Sequence, residues 1–347
     1  MHIISLMSFY SKIALVAFFI AITCLGVAVT AKANDSAVIL QYHRFGQSSH
    51  PSTNITIPQF ENHIAHLKSE GYSVLPVPHI IAAIRAGQAL PEKAVGITID
   101  DAARSVYEIA WPRLKEAGFP FTLFVSTDPV DQNHRNVLNW DEIREMAESG
   151  VTIGNHSSAH DYMWRMNSDN QKADLDNAQK RFIDELGYSP RLFAYPFGEF
   201  DIQLQNEIKS RSFDSSFGQQ SGVVHSQSDF YNLPRFSLNE TYGDLERFKL
   251  IIDTLPLKIT DLSPINPVLS VNPPIIGFTL LEQDNIDEKQ LSCFASGQGQ
   301  TSIELLGTNR VEIRLKKPLP KGRSRVNCTI PAMDKRYKWL GLQFILP

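Results

Sequence analysis

"AVGITIDD", residues 94–101, runs six apolar or small residues into two adjacent carboxylates. The β-branched run reads as a buried strand, with Asp100 and Asp101 at its C-terminal end. The same grammar recurs on either side of it. "AVILQYHRF" (37–45), "FTLFVS" (121–126), "VTIGNH" (151–156), "RLFAYP" (191–196) and "FDSSFG" (213–218) are further strand-like runs, with a weaker one in "YSVLPV" (72–77). Between them lie helical patterns such as "IPQFENHIAHLKSEG" (57–71), "HIIAAIRAG" (79–87), "WDEIREMAESG" (140–150) and "QKADLDNAQKRFIDELG" (171–187), several closed by glycine. "VYEIAWPRLKEAG" (106–118) is a helix interrupted by Pro112. Strands alternating with helices through short connections predict an α/β fold, a parallel sheet with helices outside, open or closed into a barrel. In such folds function gathers at the C-terminal ends of strands, where Asp100, His156 and Tyr195 all fall.

Composition bounds the rest. The chain has 347 residues, 43% hydrophobic and 20% charged, with a formal net charge of −4. That supports a globular core and gives no pull toward nucleic acid or an anionic membrane surface. Lys12 precedes "IALVAFFIAITCLGVAV" (13–29) and then Ala31-Lys32-Ala33. This predicts a secretory signal peptide over 1–33, with a retained membrane anchor as the alternative. No other segment reads as a span, so the mature chain is expected to be exported, to periplasm, cell envelope or medium. Removal of the signal takes Cys24 with it and leaves Cys293 and Cys328, an even pair that predicts a disulfide in an oxidising compartment.

Composition shifts near residue 256. "LPLKITDLSPINPVLSVNPPI" (255–275) is rich in proline and reads as a linker over 257–272. Beyond it, "TSIELLG", "RVEIRLKK", "RSRVNCTIP" and "WLGLQFIL" alternate as short strands. Residues 273–347 are therefore expected to form a small β-sandwich following a domain over 34–256. The aromatics of this tail, Tyr337, Trp339 and Phe344, are expected in its core, with a sugar platform as the alternative.

"NHSSAH" (155–160) sets His156 and His160 four apart, a spacing that on a helical turn aims both imidazoles at one point. Two histidines and one carboxylate make a three-ligand metal set with an open fourth position. A second carboxylate beside the metal serves as general base. The aspartate pair then divides its labour: Asp101 binds and is neutralised, and Asp100 takes a proton.

Thr98-Ile99-Asp100-Asp101-Ala102, then His156-Ser157-Ser158-Ala159-His160, then Tyr195-Pro196-Phe197-Gly198 resemble, in order and spacing, the motifs of the polysaccharide deacetylase family (carbohydrate esterase family 4, the NodB-homology domain). "ILQYHRFG" and "FAYPFGEFD" look most like its exported members acting on poly-β-1,6-N-acetylglucosamine. The resemblance covers roughly residues 90–240 and implies a distorted (β/α) TIM-like barrel. It also implies a divalent metal, Zn2+ first, with Co2+ or Ni2+ accepted. By that analogy Asp100 is the base, and Asp101, His156 and His160 are the ligands. The Phe197 backbone N–H helps hold the oxyanion, and Tyr195 and Phe197 supply apolar surface for a sugar ring or acetyl methyl, or else pack in the core. The implied substrate is an N-acetylated polysaccharide, hydrolysed at its acetamide. The same groups serve an O-acetyl carbohydrate esterase, and a degenerate glycan-binding protein is the non-enzymatic alternative.

The departures from the family pattern define further candidates. Ala194 stands where the family often has the arginine that orients the base; Arg235 in "LPRF" is the candidate substitute, or else a structural arginine. The late Leu-x-x-His motif that supplies the general acid is not evident. His225 is the one histidine after His160, a candidate acid or a loop histidine without a catalytic role. His43, on the first strand, either lines the site or packs in the strand.

Overall fold

A strand with neighbours on both sides and helices over it can be apolar on both faces, and the apolar runs fold that way. The computed structural model describes residues 34–281 and 287–347; the expected signal peptide, 1–33, lies outside them. The chain passes through β1 (Ser36–Tyr42), the short paired strands β2 (Arg44–Phe45) and β3 (Asn54–Ile55), and β4 (Ser73–Val74). It continues through β5 (Ala94–Ile99), β6 (Thr122–Val125), β7 (Thr152–Asn155), β8 (Leu192–Ala194), β9 (Ser215–Phe217), β10 (Val223–His225) and β11 (Phe236–Ser237). β1 and β5 through β9 are successive parallel neighbours, and β10 lies antiparallel beside β1.

This is a curled parallel sheet rather than a regularly closed barrel. The gap between β9 and β1 is spanned by residues 233–237: Leu233 bridges to Phe217, and β11 pairs with Leu40 and Gln41. Pro234, between the two contacts, has no N–H to donate, so a continuous ladder cannot form through it. The strap nevertheless carries Arg235 across the gap.

Alternation sets what each face of the sheet holds. Leu40, Tyr42, Ile97 and Ile99 join the outer core under the helices. The opposite face begins with Ile39, Phe124 and Phe217, covered by the helix Val77–Arg85. Gly96 permits that approach: a Cβ there would lie 2.7 Å from the Ile39 side chain and 3.0 Å from Val77. Farther along the same face, toward the strand ends, come Gln41, Thr98 and Asp100, all buried. The expected helix over 106–118 is a π-helical turn, Val106–Ala110, followed by the α-helix Trp111–Ala117. Pro112 sits in the first turn of that α-helix, where its fixed φ suits the helical backbone.

The chain after the last helix of this domain, Leu245–Ile252, forms β12 (Leu255–Pro256), β13 (Ile259–Ser263), β14 (Ile276–Leu280), β15 (Ser292–Ala295), β16 (Gly299–Gln300), β17 (Ser302–Leu306), β18 (Arg310–Arg314), β19 (Gly322–Pro331) and β20 (Tyr337–Leu346). One sheet runs β12-β20-β19-β15-β16 and the other β13-β14-β18-β17, around a shared apolar core. The expected linker 257–272 is a correction: it contributes β13, and its Leu257 and Leu269 are buried in that core. Its prolines follow β13 rather than interrupt it, so they do not prevent pairing. Cys293 and Cys328 face each other across the β15–β19 ladder and are disulfide-bonded. Phe344 is in the core, whereas Trp339 packs edge-on against Phe236 of β11, ring centroids 5.4 Å apart, and Tyr337 is exposed. Residues 34–347 form one compact unit. No described helix is long and apolar enough to cross a membrane.

Candidate active site

The polar ends of β1, β5 and β7 meet at one place. Asp100 follows β5 on the inward-facing alternation and is fully buried. Arg235, itself fully buried on the strap, grips it with a fork: Nη1 donates to Oδ1 at 2.7 Å and Nη2 to Oδ2 at 2.9 Å. The fork is itself oriented, since Arg235 Nε donates to the Gly218 carbonyl at 3.0 Å. Gln41 Nε2 adds a donor to Oδ2 at 2.7 Å. Burial alone raises the Asp100 carboxyl. The Arg235 charge and hydrogen bonds, with His156 and His43 nearby, outweigh it, and the carboxyl sits below its usual range. Arg235, the candidate raised by the alanine at position 194, therefore lies in contact with Asp100.

Asp101 turns the other way, because the backbone there goes left-handed, with φ 74° at Asp101 and 48° at Ala102. Its Oδ1 lies 3.6 Å from His156 Nε2 and 3.2 Å from His160 Nε2. The histidine segment is not a helical turn, as the four-residue spacing suggested. It is a loop with φ 70° at Ser157 and 56° at His160. Asp174, on the helix Ser168–Leu186, accepts the Ser158 and Ala159 N–H groups at 2.9 Å each and pins that loop. Eight described non-glycine residues have positive φ, and Asp101, Ala102, Ser157, His160 and Phe197 are five of them. Backbone strain of this kind persists where surrounding structure over-determines it, and here it collects around one cluster.

The cluster fits a metal ion. The three ligand atoms all lie within 4.8 Å of one another. Ligand bonds of about 2.0–2.2 Å put tetrahedral donors about 3.3–3.6 Å apart, close to the two Asp101 separations of 3.6 and 3.2 Å. His156 Nδ1 contacts the Ala194 carbonyl at 2.7 Å. A carbonyl only accepts, so Nδ1 carries the hydrogen and Nε2 keeps a free lone pair toward Asp101, the second-sphere arrangement of metal-bound histidines. Burial lowers His160, but the bond to Asp101 more than compensates and its net shift is upward.

His43 comes to the same place, its Nε2 4.0 Å from Asp100 Oδ2, and burial lowers its pKa despite both aspartates. Phe197 stands beside the ligands, its ring 4.7 Å from that of His160 and stacked on exposed Tyr162 at 4.1 Å. Two expected site residues are elsewhere. Tyr195 is fully buried, its hydroxyl donating to the Tyr231 carbonyl at 3.0 Å and its ring stacked on Phe200. It is core, because a side chain on the opposite alternation from the site points into the helix layer. His225 pairs with Ser36 at the start of β1. Six residues at ~3.3 Å each put it about 20 Å from the Tyr42 end of that strand. Its antiparallel strand carries it away from the parallel strand ends, so it is removed as a candidate acid.

Sequence reasoning missed Gln41, Arg44 and Tyr162. Arg44 Nη1 lies 3.4 Å from Asp101 Oδ2 and donates to Thr53 Oγ1 at 2.9 Å. Gln41 and His43 carried a usable signal, polar residues two apart in an otherwise apolar strand. Tyr162 carried none.

Residues 87–214 match the sequence profile of the polysaccharide deacetylase family. That stretch, which holds all three motifs, is similar to a polysaccharide deacetylase domain. The poly-β-1,6-N-acetyl-D-glucosamine N-deacetylase of Staphylococcus aureus is 27% identical over 232 residues, 59% of this chain and 80% of its own length. The Streptococcus pyogenes deacetylase PplD, solved in complex with acetate, superposes with a TM-score of 0.58 at 18% identity, covering 62% of this chain and 98% of its own. IcaB from Ammonifex degensii gives 0.56 at 23% identity, covering 64% and 99%. The deacetylase domain thus shares its fold with these structures, and the family resemblance carried by the three motifs stands, with its reading as a hydrolase of amide bonds.

Proposed function

We propose that this chain is an exported, metal-dependent N-deacetylase of an N-acetylglucosamine-containing polysaccharide, with β-1,6-linked polymer the first substrate to try. The observation that carries the proposal is the pairing of two differently furnished carboxylates. Asp101 faces two imidazoles, and Asp100 is held ionised by the Arg235 fork immediately beside it. The relative in Staphylococcus aureus named for this polymer supports the choice of substrate.

Asp101, His156 and His160 would hold a divalent metal, Zn2+ by donor type, with Co2+ or Ni2+ also accommodated. Such an ion, when bound, polarises an acetamide carbonyl and acidifies a water. Asp100 takes the proton of the attacking water. Arg235 keeps that carboxylate charged and aimed, and the Phe197 N–H faces the oxyanion. The C–N bond then breaks, acetate leaves, and the sugar nitrogen needs a proton. His43 supplies it: the proton taken by Asp100 passes through one bridging water to His43 Nε2, 4.0 Å away, and an imidazole with a lowered pKa is a ready donor once protonated. Tyr162 and Phe197 form the apolar shelf for a sugar ring.

The test is acetate release from β-1,6- and β-1,4-linked N-acetylglucosamine oligomers, with an O-acetylated xylan in parallel. Acetate from the β-1,6 oligomer fits the proposal. Acetate from xylan alone would replace it by the esterase. His43→Gln should lower the rate on the amide about 10²–10⁴-fold while sparing aryl acetates, whose leaving groups need no proton.

A further inference from the structure

We infer that the C-terminal β-sandwich is part of the active-site apparatus, through two positioning residues, Arg323 and Gln343, that hold the Phe197 loop in its left-handed conformation. This rests on the reading of Phe197 as the oxyanion donor. Phe197 has φ 59° and Gly198 φ 68°. A left-handed α conformation is disfavoured for a residue with a side chain, because its Cβ crowds the following carbonyl oxygen, so something must hold Phe197 there. Gly198 cannot be replaced to help: a Cβ at that residue would lie 2.7 Å from the Gln219 backbone nitrogen.

Two successive left-handed residues turn two successive carbonyls outward, and each meets a donor from the sandwich. Arg323 of β19 donates Nη1 to the Phe197 carbonyl and, at 3.0 Å, to Gln219 Oε1. Gln343 of β20 donates Nε2 to the Gly198 carbonyl at 2.6 Å. The two side chains share a face of the hairpin, since Gln343 stands directly opposite Arg325, two residues from Arg323. The inner face of β19, with Val326 and Cys328, belongs to the sandwich core instead. The hairpin is itself fixed to the deacetylase domain. Leu340 bridges to Gly222, and a Cβ on Gly341 would lie 2.0 Å from the Ser221 carbonyl oxygen, so only glycine permits that approach. The sandwich is therefore docked by backbone contacts and reaches into the third motif with two hydrogen-bond donors.

The experiment uses the full mature chain with Arg323→Ala, Gln343→Ala, the double variant and Arg323→Lys. Arg323 is exposed, so its replacement does not endanger folding. Four quantities are read: amide hydrogen exchange of a peptide spanning 195–200, which needs no substrate, bound zinc, and kcat and KM for acetate release. The expected result is faster exchange confined to that peptide, and a kcat about ten- to a hundredfold lower. KM and bound zinc should be little changed, and Arg323→Lys should recover part of both effects. Unchanged exchange, or faster exchange with wild-type kcat, would overturn the inference. If the wild-type chain releases no acetate at all, the functional reading has failed, and the exchange data alone decide whether the sandwich holds the loop.

Discussion

Asp100 and Arg235 are both fully buried, and each is the other's main compensation. Breaking such a pair from one side costs more than the pair contributes, because a buried charge is left alone. Arg235→Met should therefore lower the unfolding free energy by about 3–5 kcal/mol in urea titration and abolish activity. Arg235→Lys, which keeps charge without the fork, should recover much of the stability and little of the activity. A Met variant as stable as wild type would show that Asp100 has another compensating partner. At this scale the sequence speaks where chemistry is written in adjacent residues: type and spacing single out Asp100, Asp101, His156 and His160, and the family resemblance of the three motifs suggests their roles. Arg235 lies 135 residues from Asp100, so it enters as a candidate only through the alanine at position 194 and not through any local pattern. His225 failed for a related reason: chain order says nothing about which end of a strand a residue occupies.

The helix Ile57–Ser69 is anchored to the sheet by a histidine rather than by apolar contact alone. His63 accepts from the Tyr42 hydroxyl through Nδ1 at 3.0 Å, gives its Nε2 hydrogen to the Gly243 carbonyl at 2.9 Å, and stacks on Phe248 at 3.8 Å. Accepting at Nδ1 requires the neutral ring, and burial pushes its pKa down to about 4 although the Gly243 bond favours the charged form. In the unfolded chain the ring titrates near its usual value of about 6.5. Below that pH the unfolded state takes a proton that the folded state refuses. The stabilisation is complete above about pH 6.5 and is lost as pH falls toward 4, by roughly 3 kcal/mol in all. Urea stability measured at pH 7.5 and 4.5 should drop more steeply for wild type than for His63→Gln, and parallel curves would contradict this account. The alternation of apolar residues was enough to foresee these strands and helices. It did not foresee the strap over 233–237, whose pairing is two short contacts around a proline, or β13, hidden in a proline-rich stretch.

At the scale of the molecule, a curled α/β sheet and a β-sandwich act on one site from two sides. The sandwich is small, and the Cys293–Cys328 bond closes a 35-residue separation within one of its sheets. In the loop-entropy picture that contributes about 3–4 kcal/mol. Cys293→Ala/Cys328→Ala should lose about that much by urea titration under oxidising conditions, and wild type in reductant should behave like the variant. An undiminished midpoint would mean that the sandwich core suffices without it. The central claim remains that Asp101, His156 and His160 bind a divalent metal and that Asp100 beside it is the base. It is tested most directly by stripping the mature chain with chelator, titrating zinc back, and measuring bound zinc and acetate release on the same samples of wild type and Asp100→Asn. The account predicts one zinc per chain in both proteins, acetate rising in step with zinc in wild type, and a rate about 10²–10⁴-fold lower in Asp100→Asn. Full turnover by the stripped protein, or wild-type turnover by Asp100→Asn, would contradict it.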